Sequence, residues 1–193
     1  MKEDIFSPSG IYLREQLKGE IDLSNSNLPS LIVPENFIDI DIKLPKEGYP
    51  SKIREKIDHI GKDAEELGYP PSIYTAIYDG VLNAHQHGNS LNPQKEIRLS
   101  YLLQTDFLEV IVEDQANSLP NQFINFILEM RSRKNLSNSA INWYEFSNTN
   151  LSSQSPNKGV GTYFMHIYMD EVKYFKSKEL NGLALYMKKA NSQ

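Results

Sequence analysis

The stretch IYDGVLNAHQHGN, residues 77–89, sets Asp79, Asn83 and His87 at successive intervals of four. At helical spacing such residues share a face. A carboxylate, an amide and an imidazole therefore line up beside an apolar stripe of Ile73, Ile77, Val81 and Ala84. Gly80 stands inside the same helix at a cost of about 1 kcal/mol relative to Ala, and its missing side chain lets a neighbour approach the backbone. Further on, VIVEDQANS runs an apolar strand into Asp114. A carboxylate just past a buried strand is placed to accept a hydrogen bond from an exocyclic amine such as that of adenine. Third, NKGVGTYFMHIYM puts Gly159 and Gly161 at the opening of a helix. Free backbone N–H groups at a helix N-terminus suit phosphate oxygens, and Lys158 adds a point charge. Taken singly, each feature has an ordinary explanation: a solvated face, a turn-starting Asp, a loop entering a helix.

Several chemistries are excluded or disfavoured by composition. The 193 residues contain no cysteine, which removes disulfides, thiolate catalysis and cysteine-based zinc sites. His85 and His87 are two apart and do not share a helix face, so they make a poor metal pair. The net charge of −5 is spread along the chain with no basic patch, an argument against nucleic acid as the main partner. No apolar run approaches the ~18 residues that span a membrane, and MKEDIFSPSG is acidic where a signal peptide is apolar. A cytoplasmic location is expected.

Periodicity supplies the elements that must position these residues. FIDIDIKL alternates as a half-buried strand does. SKIREKIDHIGKDAEELG places Ile53, Ile57, Ile60, Ala64 and Leu67 on one helical stripe, with Ser51 as N-cap and Gly68 as C-terminal cap. A second helix starts near Ser72 and ends at Gly88. IRLSYLL and FLEVIVED form a hairpin across Gln104-Thr105-Asp106. FINFILEMR, from Phe123, suggests a short helix, and residues 135–157 form a long Asn- and Ser-rich connection around Trp143. A helix over YFMHIYM and a hairpin of EVKYFK with LALYMKK through Asn181-Gly182 close the chain. The order predicts an α/β two-layer sandwich, a mixed and largely antiparallel sheet with helices on one face. Residues 1–36 are an N-terminal extension and 37–190 the domain, with 119–158 as a lid region.

Together the three features resemble the ATPase superfamily of gyrase, heat-shock chaperones, histidine kinases and mismatch-repair proteins, in order and in secondary-structure context. Within it, LPKEGYPSKIREKIDHIGKDAEELGYPPSIYTAIYDGVLNAHQHGN and GVGTYFMHIYMDEVKY are most similar to bacterial anti-sigma-factor serine/threonine-protein kinases, over residues 37 to 189. The resemblance implies the histidine-kinase-like ATPase fold with ATP and Mg2+ as cofactors. It implies that Asn83 binds the magnesium, Asp114 reads the adenine amine, and Ala116 lies in the first glycine box. Lys158, Gly159, Val160, Gly161 and Thr162 then meet the phosphates, and Asp79 is the general base for a target hydroxyl. The implied partners are a sigma factor or other protein effector and a small antagonist protein, with a homodimer as the usual assembly.

Two departures from the family pattern keep alternatives open. Asp79 stands where such kinases carry Glu, one methylene longer. The first box reads Asp114-Gln115-Ala116-Asn117-Ser118 in place of D-x-G-x-G; a left-handed backbone there costs a non-glycine about 1–2 kcal/mol. The expected functions are thus a serine/threonine kinase of a partner-switching pathway, a non-catalytic interaction module on the same fold, or a domain phosphorylating a histidine in trans.

Overall fold

The structure, a computed structural model, describes residues 20–22, 30–120 and 160–191. Its strands are β1 (Glu20–Asp22), β2 (Ser30–Leu31), β3 (Ile38–Ile42), β4 (Ile97–Leu103), β5 (Phe107–Glu113), β6 (Ser118–Pro120), β7 (Glu171–Ser177) and β8 (Leu183–Ala190). Its helices are α1 (Tyr49–Glu66), α2 (Ser72–Asn83), which a π-helical turn over Ala84–Gly88 continues, and α3 (Val160–Tyr168). Six strands make one sheet in the order β2-β7-β8-β5-β4-β3. Only the β2–β7 pair is parallel, so the sheet is mixed and largely antiparallel, as the pattern predicts. β1 pairs separately with β6.

The alternation of the strands decides the layering. Ile42, Leu99, Val110, Val112, Leu185, Met187 and Tyr174 project from one face and join Ile53, Ile57, Ile60, Ile73, Ile77 and Val81 of the helices in a single buried cluster. The helices therefore occupy one side of the sheet. The other face is polar at its margins, where Arg98 meets Asp41 at 3.2 Å and Lys188 meets Glu109 at 2.8 Å. At its centre Ser100, Ile111, Glu113 and Ala184 are also fully buried. The register β3–β4–β5–β8 stacks these residues in adjacent rows.

Some local expectations are corrected. Helix α1 starts at Tyr49, not after Ser51. Gly48 precedes it with φ 70°, Pro50 sits in its first turn, and the Ser51 hydroxyl bonds back to the Gly48 carbonyl at 2.9 Å. The expected C-terminal cap holds: Gly68 has φ 86° and Tyr69 N–H closes on the Ala64 carbonyl, the left-handed cap for which glycine is suited. Leu67, assigned to the buried stripe, is exposed at the helix end. The helix expected from Phe123 and the loop around Trp143 lie outside the described residues.

Candidate functional site

Asp114 leaves β5 directly after Val110, Ile111, Val112 and Glu113, all buried, and is itself only 5% exposed. Its Oδ1 accepts the N–H of Ala116 at 2.8 Å and that of Leu183 at 3.3 Å. Its own N–H donates to the Leu183 carbonyl. Among the described residues nothing donates to Oδ2. Two glycines make room for this residue, one for its carboxylate and one for its backbone. A Cβ on Gly88, at the end of the π turn, would fall 2.0 Å from Oδ2, and one on Gly182 would fall 2.0 Å from the Asp114 carbonyl oxygen. Burial pushes the Asp114 carboxyl up to about 6, against the pull of the Ala116 and Leu183 N–H groups and of Lys95.

Helix α2 runs beside this strand end and carries Asp79 and Asn83, both half-buried. Asp79 makes no hydrogen bond or ion pair with any described residue. Burial alone lifts its carboxyl to about 6. A half-buried carboxyl near neutrality is the electrostatic state expected of a proton acceptor. Gly80 serves a different purpose from the one its position suggests. A Cβ there would meet Met187, Leu185 and Val112 at 3.2 to 3.4 Å, so what approaches the helix is the sheet.

From Ala84 the helix under-winds, with Asn89 N–H reaching the Ala84 carbonyl at 2.7 Å. The wider turn carries the exposed His87 out of the line set by Asp79 and Asn83. It also turns Gly88 toward Asp114. His85 is fully buried, its ring 4.9 Å from that of Tyr49 and its Nε2 3.1 Å from the Pro45 carbonyl. Burial lowers its pKa, so the neutral imidazole donates to Pro45.

The altered glycine box folds without the strain a left-handed backbone would impose. Ala116 has negative φ, Ser118 begins the extended strand β6, and the Ala116 methyl belongs to the hydrophobic core. Around it lies a set of residues that sequence patterns do not mark: Asn89, Lys95, Glu96 and Gln115. Asn89 Oδ1 accepts the Gln115 N–H and its Nδ2 donates to the Glu96 carbonyl. Gln115 Oε1 accepts the Glu96 N–H, and Lys95 Nζ donates to the Gln115 carbonyl at 2.8 Å. Asn89 directly follows the H-G pair, but its partner is 26 residues away, which no local spacing reveals. Glu113 is also unmarked: its Oε1 accepts the Ser177 hydroxyl at 2.6 Å. Its Oε2 and the nearby Ser100 Oγ are buried with no hydrogen-bond partner among the described residues.

Helix α3 packs along α2. Val160, Gly161 and Thr162 form its first turn, so Gly161 lies within the helix and not ahead of it; Lys158 and Gly159 lie outside the described residues. Among the three sequence features, then, Asp114 meets the end of α2 at Gly88 while α3 lies against α2. Among the described residues no three His, Cys, Asp or Glu side chains stand close enough to cage a metal. The Asn83 amide oxygen on α2 is a hard donor of the kind that magnesium takes. No described helix is long and apolar enough to cross a membrane. Comparison of the chain with models of known protein families and with curated proteins found no match.

Proposed function

We propose that the chain is an anti-sigma-factor-like regulator built on the histidine-kinase-like ATPase fold, which binds Mg-ATP and phosphorylates a serine or threonine of a small antagonist protein. The observation that carries this reading is the Asp114 carboxylate. One oxygen is committed to two backbone N–H groups, and the other, beside Gly88, is left without a donor among the described residues. An exocyclic amine supplies the missing donor. Asn83 is then the amide ligand for magnesium, which when bound neutralises charge on the phosphates. Asp79, raised toward neutrality, takes the proton of the target hydroxyl. The first turn of α3, with Val160, Gly161 and Thr162, offers backbone N–H groups to phosphate oxygens. Lys158 and Gly159, next in sequence, extend the same proposal. In a cytoplasmic partner-switching pathway, the effector held by another surface is a sigma factor or similar protein, and the chain acts as a homodimer.

Calorimetry with Mg-ATP and Mg-ADP tests the site. The natural protein binds both, and Asn83→Ala and Asp114→Asn each weaken binding by about tenfold or more, the effect of removing a hydrogen bond to a charged group. Equal affinity in all three proteins sinks the assignment. If binding holds, incubation with Mg-ATP and a cognate antagonist yields acid-stable phosphate on the antagonist.

A second reading, a non-catalytic interaction module on this fold, is favoured by Ala116. Its methyl is buried in the core at a position where the family pattern has glycine. Under that reading the natural protein binds no nucleotide, and Ala116→Gly with Ser118→Gly gains binding.

A further inference from the structure

Gln115, the residue after Asp114, is held at every polar group it has described partners for. Its N–H goes to Asn89, its carbonyl receives Lys95 and its side-chain oxygen receives the Glu96 N–H. All three partners sit in the eight-residue loop that follows the π turn. Asn89 is fully buried, and both ends of its amide are engaged. The chain reaches this arrangement through Ser90 and Leu91, both with positive φ, at 55° and 57°. Two consecutive left-handed residues without a glycine are uncommon, most of all for a bulky side chain. They persist where the surroundings over-determine them. Leu91 N–H is fixed to the His85 carbonyl at 2.9 Å. The loop is thus tied at one end to the helix that carries Asp79 and Asn83, and at the other to the backbone that carries Asp114.

We propose that Asn89 and Lys95 are positioning residues for Asp114: Asn89 fixes the turn whose Ala116 N–H holds its Oδ1, and Lys95, bonded to the Gln115 carbonyl, places a cation beside it. The inference rests on the nucleotide reading for what Asp114 is held ready to bind, but its test does not. Charges around Asp114 leave Lys95 as the chief favourable one. Glu113, on its own strand, opposes ionisation, as burial does. From the π turn, His85 is buried against Pro45 and His87 is exposed. From the turn after β7, Lys178 and Glu179 are exposed, and Glu179 pairs with Arg98 at 3.4 Å. Glu96 contributes its backbone to Gln115.

Carboxyl 13C NMR of the full chain across pH reads Asp114 directly. Replacing Lys95 by Met moves its titration midpoint upward, and Lys95→Arg restores the natural midpoint, as a charge effect requires and a packing effect does not. Asn89→Ala speeds amide exchange of Gln115 about tenfold while leaving the core amides of Val110 and Leu185 unchanged. An unchanged Asp114 midpoint in a folded Lys95→Met protein overturns the role of Lys95, and unchanged Gln115 exchange in Asn89→Ala overturns that of Asn89. If both shifts appear and calorimetry detects no nucleotide, the positioning network stands and the nucleotide reading falls.

Discussion

At the scale of single residues, glycine and aspartate define the site together. Asp114 is nearly buried, and the space for its Oδ2 exists only because Gly88 has no side chain. Gly88→Ala forces either the carboxylate or the helix end to move. Overpacking of this kind costs about 2 kcal/mol, and here the first atom displaced is the candidate amine acceptor. Urea unfolding of the variant is expected to show that loss, together with weakened nucleotide binding. A variant as stable as the natural protein would mean that the helix end and Asp114 are not in contact. The sequence marks Gly88 as a helix stop, and it marks Asp114 as a carboxylate past a strand. It does not tell that one exists to admit the other, because the two are brought together only when the helix is laid on the sheet. Gly80 shows the converse: the sequence flags an anomaly inside a helix, and its cause is the sheet side chains Met187, Leu185 and Val112.

At the scale of elements, periodicity was enough to place α1, α2, α3 and the strands β3, β4, β5, β7 and β8, since an apolar face that repeats at 3.6 or 2 residues has one way to be buried. What it misses are departures from regular geometry. The π turn over Ala84–Gly88 has no periodic signature, yet it breaks the line Asp79–Asn83–His87 and leaves a two-residue pair on regular α-helix. Asp79 on that helix has a consequence for stability. Its carboxyl rises from 3.8 to about 6 on folding, and that of Asp114 does the same. Between those values the folded chain binds more protons than the unfolded one, so these two groups favour folding below about pH 4 and lose that contribution as pH rises through about 6. Asp79→Asn removes its share of the slope. Since Asp79 is partly exposed and therefore screened, the variant gains about 1 kcal/mol at pH 7 relative to pH 4 compared with the natural protein. Denaturant melts at the two pH values measure it, and identical slopes for both proteins would show that Asp79 is not held near neutrality.

At the scale of the whole molecule, two short strands from residues 1–36 pair with the rest of the chain. β2, from the N-terminal extension, pairs Ser30 and Leu31 with Lys176 and Ser177 at the sheet edge. β1 pairs Glu20, Ile21 and Asp22 with Pro120, Leu119 and Ser118. The second ladder grips the chain immediately after the Asp114 turn, at the start of the region read as a lid. These attachments were illegible in the sequence because residues 1–36 have no repeating apolar pattern and a two- or three-residue strand leaves none. Their strength is also limited: five residue pairs in all, against the long antiparallel ladders from β3 through β7 that enclose the hydrophobic core. Local structure held by few pairs opens separately from the core. A chain lacking residues 1–36 is therefore expected to fold with its helices and antiparallel strands intact. The amide of Leu119 then exchanges about tenfold faster or more, while those of Val110 and Leu185 keep their protection. Loss of protection throughout the sheet would instead make the extension part of the folding core, and the domain would have to be drawn from its first strand.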